Sequence, residues 1–411
     1  MLEVKGIQDS EGDQIYINLH PNREKSIEKI LESNILSFQK EIIILIDTSD
    51  SMNSHLPLIK QSLLDFQKTL LGDSDESIID LCFRELINVK VYTYNEYVEK
   101  IWDNLCSTDS YMDTINRVDT SSISNLGKGL ETIFENLIWE NKYYWLLILT
   151  DGNVNYGKYR THTSFNRLLE HKPKNCKIIT LGYGYEINIE LLDHIGDFLY
   201  VREEKIPCIF GGLAEDILRS SIFNINIFIE GNIQPREVLD DEALIFDVKE
   251  MSGEILVGET QLYNLSDDYT IIYKPYGSVS DIQLLKSYKV RIEYIELGIK
   301  ERKSIIAPIE IVSDSPDVNM IHKEIIRKTY IRLYTYLLDD DRYNLKNMIK
   351  DIYIKDDELD EFIENIKNEL DSTYISRSVI YKSLKRPYAY KIYNTPKENP
   401  FVKTLMKNVG S

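Results

Sequence analysis

Asp47, Ser49 and Ser51 stand at alternate positions directly after the apolar run Ile42–Ile46, in the segment EIIILIDTSDSMNS. A second aspartate, Asp151, closes another apolar run in YYWLLILTDG. Between the two lies SSISNLGKGL, with Ser124 just ahead of a periodic apolar stretch. Together these side chains offer two carboxylates and three hydroxyls, with no nitrogen or sulfur donor. Hard divalent cations take such oxygen-only sets: Mg²⁺ binds oxygens at about 2.0–2.1 Å and retains several waters. Mn²⁺ and Ca²⁺ are the other ions this donor set suits. Thr120, Ser121 and Ser122 are rival sources of the third hydroxyl, and Asp50 reads as a solvated carboxylate.

Groups so far apart in sequence meet only if the elements carrying them converge. EIIILID and YYWLLILTDG are continuous apolar runs, the pattern of strands covered on both faces of a parallel sheet. LPLIKQSLLDFQKTLL repeats apolar residues at three- and four-residue spacing and reads as an amphipathic helix. LINVKVYTYN reads as a strand, with EYVEKIW as its hairpin partner, and NLGKGLETIFENLIWEN as a helix. SFNRLLEH, CKIITLGYG, NIELLDHIG, DFLYVR and IFGGLAEDILRSSI continue the alternation of helix and strand. The expectation is a doubly wound α/β domain over 39–222 with a mostly parallel sheet. In such a sheet ligands sit outside the carboxyl ends of the strands, where Asp47 and Asp151 fall.

The rest of the chain changes character. Residues 223–315 alternate apolar and polar positions between short turns, which predicts an antiparallel β-sandwich. Residues 316–375 predict a helical region, and the basic, aromatic segment 376–411 a tail that packs on the body. Residues 1–38 begin with two short strands, EVKGI and QIYINLH. These are expected to join the sandwich, because a sheet of few strands has edges to cover whereas the α/β sheet is complete without them.

The D-x-S-x-S of Asp47, Ser49 and Ser51, a hydroxyl before a later helix, and the T-D-G of Asp151 together resemble the metal-ion-dependent adhesion site of von Willebrand factor A domains. The resemblance implies that Ser49 and Ser51 coordinate directly and that Asp47 and Asp151 act mostly through water. It places Ser124 where the family usually has threonine; serine keeps the oxygen but lacks the methyl that restricts its rotamer. FGGLAEDILRSSIFNINIFI and MSGEILVGETQLY look like the last helix, exit strand and following sandwich strands of intracellular A-domain proteins. VNMIHKEIIRKTYIRLY and YNTPKENPFVKTLM resemble the C-terminal helical region of plant, fungal, amoebal or large-virus members, often fused to RING or U-box modules. No Cys/His-rich segment of that kind is present in this sequence.

Composition narrows the function classes. A net charge of −19 repels polyanions and disfavours nucleic-acid binding. Cys82, Cys106, Cys176 and Cys208 form no C-x-x-C pair, which argues against a zinc site and for reduced thiols in a reducing compartment. No apolar leader core and no run of about 18 apolar residues is visible, so the expected setting is intracellular and cytoplasmic, with no membrane span. The six histidines show no H-E-x-x-H; His55 alone is near the candidate cup and reads first as a packing residue. LGYGYE lacks the third glycine of a dinucleotide loop, and neither G-x-S-x-G nor a P-loop occurs. With no nucleophile–base pair, an enzyme is not expected. SLKRPYAYK mixes basic and aromatic residues as single-strand binders do, but reads more simply as a strap over an acidic body.

The leading expectation is therefore a metal-dependent protein–protein interaction module. A partner's Asp or Glu would complete the shell of Mg²⁺, Mn²⁺ or Ca²⁺ at Asp47, Ser49, Ser51, Ser124 and Asp151. The alternative is a scaffold or ubiquitin-pathway adaptor whose sandwich and helices carry the binding, with a structural or vestigial metal. The third is RNA binding of the ribonucleoprotein A-domain kind. Oligomeric state is left open.

Overall fold

The computed structural model describes residues 1–9, 15–32, 40–71, 84, 86–103, 108–120, 123–137, 142–230, 235–238, 250–251, 254–265, 269–275, 289–297 and 301–312. The helical region expected at 316–375 and the tail at 376–411 lie outside the described residues, as do Ser121, Ser122, Cys82 and Cys106. The described residues divide into two compact units, 27–219 and the combination of 1–26 with 220–312.

The first unit is built on a six-stranded sheet. Its strands are β3 (Lys40–Asp47), β4 (Ile87–Tyr94), β5 (Val98–Asp103), β6 (Tyr143–Thr150), β7 (Cys176–Gly182) and β8 (Asp197–Tyr200), in spatial order β5-β4-β3-β6-β7-β8. All pairs are parallel except the β4–β5 hairpin. β3 is buried along its whole length between β4 and β6. Ile43 and Leu45 pack in one cluster with Leu126, Leu130, Ile133 and Phe134 of the helix Leu126–Asn136. By the two-residue alternation of a strand, Ile42, Ile44 and Ile46 face the other side. Each fully buried isoleucine contributes roughly 1.5–3 kcal/mol, so β3 alone is a large part of the core.

Helices cover the sheet as the sequence periodicity requires. α1 (Arg23–Glu32) precedes β3 in the chain, and the covering helices are α2 (Leu56–Leu71), α3 (Thr108–Asn116), α4 (Leu126–Asn136), α5 (His162–Leu169), α6 (Ile189–Ile195) and α7 (Ile206–Arg219). α2 buries the apolar stripe Leu56, Ile59, Leu63, Phe66 and Leu70, and with Ser62, Leu64, Asp65, Gln67 and Thr69 also buried its second half is enclosed on nearly all sides; Phe66 meets Phe210 of α7 edge-on at 5.6 Å. Gly129 lets α4 approach closely: a Cβ there would lie 3.0 Å from Leu45 Cδ2. No helix among the described residues is long and apolar enough to cross a membrane.

Charge is placed at the amino end of β3. Lys40 is fully buried, and its Nζ donates to the carbonyls of Ile217 (2.8 Å) and Leu218 (2.7 Å) in the last turn of α7. A cation there answers both the orphan carbonyls and the negative end of the helix dipole. Burial still pushes the Lys40 pKa well below the ordinary lysine value, with Asp216 pulling it back up. The buried carboxylate of Glu41 accepts from Lys90 (2.7 Å) and Lys142 (3.1 Å), a pairing that ties β3 to β4 and to the approach to β6.

The second unit is a nine-stranded sheet, ordered β10-β13-β2-β1-β15-β14-β9-β12-β11. Its strands are β1 (Leu2–Asp9), β2 (Ile15–Pro21), β9 (Ile222–Glu230), β10 (Pro235–Val238), β11 (Glu250–Met251), β12 (Glu254–Leu265), β13 (Tyr269–Pro275), β14 (Lys289–Glu296) and β15 (Lys303–Val312). β1 and β2 sit inside it, β2 against β13 and β1 against β15. Every pair is antiparallel except β1–β15, which is parallel. A tight hairpin can make only an antiparallel pair; β1 reaches β15 from the other end of the sequence, so that restriction does not apply.

Candidate metal centre

Strand order reverses around β3. The chain passes from β3 to β4 on one side and then to β6 on the other, so the carboxyl ends of β3 and β6 flank the switch point. Asp47 ends β3 there and is fully buried. Its Oδ1 accepts from the Ser49 backbone N–H at 2.9 Å, which bends the chain out of the strand. Its Oδ2 accepts from three hydroxyls: Thr150 Oγ1 at 2.6 Å, Tyr94 at 2.8 Å and Ser124 Oγ at 3.1 Å. One carboxylate thus joins β3, β4, β6 and the loop before α4. Burial raises the Asp47 pKa, opposed by the hydrogen bonds from Thr150, Ser49 and Tyr94. Burial and the Asp47 charge in turn drive the Tyr94 phenol well above its ordinary value.

The hydroxyls of Ser49 and Ser51 lie 3.1 Å apart at the mouth of this junction. Ser49, Asp50 and Ser51 line a cleft of about 290 Å³ together with Asn153, Val154, Asn155 and Asn188. Asp50 is exposed to solvent there. Asp47, Ser124 and Asp151 are buried behind this lining. Asp151 follows Thr150, accepts from the Asn153 N–H through Oδ1 (2.9 Å), and through its carbonyl accepts from Asn188 N–H (2.9 Å). Asp47, Ser49, Ser51 and Ser124 therefore form one hydrogen-bonded chain, with Asp151 set beside it through its neighbour Thr150.

Among the rival hydroxyls, Thr120 is half-buried, and its N–H is bonded to Asp119. Ser124 reaches Asp47 because the loop that follows β6 holds it from both sides. Its N–H donates to Asn155 Oδ1 at 2.9 Å and its carbonyl accepts from the Tyr156 N–H at 3.1 Å. Two glycines permit that loop. Gly152, at φ +76°, turns so that its N–H donates to Thr150 Oγ1. Gly157, at φ +96°, leaves space that a Cβ would close to within 2.2 Å of Asn125 Oδ1, the oxygen that caps α4. His55 packs beside Gly184, where a Cβ would lie 2.7 Å from its Nε2.

Sequence reasoning missed Tyr94, Thr150 and Asn155. Thr150 was in plain view as the first residue of T-D-G. Tyr94 is opposite Asp47 in the β3–β4 register, a relation that exists only once the strand order is known. Among the described residues, no three His, Cys, Asp or Glu side chains gather closely enough to hold an ion by themselves. A cation here would depend on the hydroxyls. The residues fit a hard divalent ion: the donors are oxygens, two carry charge, and the groups bonded to the Asp47 carboxylate are neutral.

Comparison with known proteins agrees with this arrangement. The family model described as the von Willebrand factor type A domain matches residues 41–198. A von Willebrand factor type A structure from Catenulispora acidiphila is 12% identical, with 81% of this chain and 80% of that chain covered and a TM-score of 0.50. The ArnB paralog VWA2 from Sulfolobus acidocaldarius is 14% identical, covering 98% of this chain and 97% of that chain at a TM-score of 0.43. Proximal thread matrix protein 1 from the mussel byssus, in a structure with a zinc-occupied MIDAS motif, is 17% identical. It covers 45% of this chain and 49% of that chain at a TM-score of 0.35. At such identities the likeness is one of fold. A search of curated proteins finds no match.

Proposed function

On the premise that residues 41–198 form a von Willebrand factor type A domain, we propose that this protein binds a protein partner through a divalent cation held at Asp47, Ser49, Ser51, Ser124 and Asp151. The observation that carries the reading is the meeting of three sequence-distant segments at one point, with Ser124 Oγ on Asp47 Oδ2 and Ser49 Oγ beside Ser51 Oγ at the cleft. Ser49, Ser51 and Ser124 supply neutral oxygens, while Asp47 and Asp151 supply charge from behind, through water. A bound cation offers an electrophilic position that a partner's Asp or Glu carboxylate can complete. Asp47 also keeps the loops in register, since its Oδ2 is the common acceptor for β4, β6 and the α4 approach. Neutral ligands bind weakly, so affinity without a partner is expected to be modest.

Magnesium as the physiological ion and an intracellular setting belong to the same reading. Nothing in the constellation pairs a nucleophile with a general base, which favours binding over catalysis.

Calorimetric titration of Mg²⁺ and Mn²⁺ into the wild-type chain and into Asp47→Ala tests the centre. Heat of binding is expected for the wild type and its loss for the variant. Equal titration of both proteins would sink the assignment. Partner capture that survives EDTA would move the function to the scaffold reading.

A further inference from the structure

Large apolar side chains prominently exposed among the described residues are Tyr97 (73%), Tyr156 (42%), Tyr185 (85%) and Ile306. The three tyrosines come from three different loops, and all three loops leave the carboxyl edge of the six-stranded sheet. Tyr97 is in the turn after β4, Tyr156 in the loop after β6 and Tyr185 in the loop after β7. Each loop is fastened to the candidate centre. Asn95, bonded through its backbone and side chain to Tyr97, donates from Nδ2 to Thr48 Oγ1 at 3.3 Å. The Tyr156 N–H donates to the Ser124 carbonyl. Tyr185 lies between Gly184, which abuts His55, and Glu186, whose carbonyl accepts from the cleft residue Asn153 at 2.7 Å.

The three loops that carry these exposed rings are therefore each anchored to residues of the candidate centre or its cleft. Exposed tyrosines gain from burial against a partner, and at low entropic cost. Two of them adjoin an exposed acidic residue in the chain, Glu96 before Tyr97 and Glu186 after Tyr185, and Asp50 is exposed at the cleft itself. A ring next to a carboxylate suits a guanidinium or ammonium: the face attracts the cation and the acid pairs with it.

We infer that the tyrosine rim selects the partner: an extended protein segment in which one Asp or Glu, directed to the metal, is flanked by arginine or lysine side chains that settle on Tyr97 with Glu96 and on Tyr185 with Glu186. The inference rests on the metal-centred reading above and adds the chemistry of the flanks. A uniformly acidic segment would be repelled by Asp50, Glu96 and Glu186, and an apolar one would leave those carboxylates unpaired.

Selection from a random-peptide display library on the full-length chain, in Mn²⁺ and separately in EDTA, tests it. The expected outcome in Mn²⁺ is enrichment of peptides that carry a carboxylate with arginine or lysine on either side. Tyr97→Ser and Tyr185→Ser should each weaken a selected peptide roughly threefold to fivefold, with unchanged circular dichroism and an unchanged Mn²⁺ titration. Glu96→Gln and Glu186→Gln should reduce the preference for basic flanks. The proposal is overturned if Mn²⁺ binds but no peptide is enriched, if enriched peptides lack basic residues, or if the tyrosine variants bind equally. Failure of the metal centre reads differently: no Mn²⁺ heat, with the same basic peptides selected in EDTA, would keep the rim and remove the centre.

Discussion

At the scale of single residues, Asp47 is both a candidate outer ligand and the joint of the fold, and its neighbours separate these roles. Tyr94 donates to its Oδ2 from β4 but does not line the cleft. Its phenol is fully enclosed, so removing it costs a hydrogen bond to a charged acceptor without admitting a replacement. Tyr94→Phe should lower unfolding stability by about 1.5–3 kcal/mol, the usual worth of such a bond. Metal affinity should stay within a few-fold, because the cleft hydroxyls are untouched. Urea denaturation and calorimetry on the same sample check both halves. A variant of wild-type stability would mean that Thr150 and Ser124 satisfy the carboxylate without Tyr94.

At the scale of elements, β3 is held at both ends by polar groups inside an apolar sheet: Asp47 at its carboxyl end, Lys40 and Glu41 at its amino end. Lys40 caps α7 while buried, and its folded pKa is depressed by that burial. Between the depressed folded pKa and the unfolded value near 10.5, the unfolded chain binds more protons than the folded one. The Lys40 contribution to stability therefore rises with pH across that window, and the burial penalty is present in full below it. Lys40→Met removes the titration and leaves the Ile217 and Leu218 carbonyls without the Nζ donor. The stability of wild type relative to Lys40→Met should accordingly increase as pH rises toward the unfolded lysine value in urea unfolding. A difference that shrinks with pH would contradict the sign.

At the scale of the whole molecule, the 27–219 unit lies in sequence between parts of the other unit. β1 and β2 supply the centre of the nine-stranded sheet, joining β13 on one side to β15 on the other. Removing residues 1–21 would strip partners from both neighbours and expose two sheet edges at once. Hydrogen exchange should then show lost protection in β14 and β15, with protection retained in β3 and β6, whose partners are all in their own sheet. Loss of protection in β3 together with β15 would show that the two units do not unfold independently.

What was legible in the sequence was local. Five consecutive apolar residues before Asp47 and six before Thr150 mark β3 and β6, because strands enclosed on both faces cannot carry polar side chains in mid-course. The three-to-four spacing of α2 and the D-x-S-x-S step are similarly written in neighbouring positions. The expectation that residues 1–20 pair outside the α/β sheet needed only a count of strands and edges. The direction of the β1–β15 pair, the meeting of Tyr94 and Thr150 on Asp47, and the selection of Ser124 by Asn155 and Tyr156 were decided by tertiary structure. So was the placement of the loops that carry Tyr97, Tyr156 and Tyr185 at one edge of the sheet, since these residues share no spacing in the chain. The physical reason is range: periodicity records which side of an element is buried, whereas strand order sets which elements meet, through contacts between residues as far apart as Asp47 and Thr150.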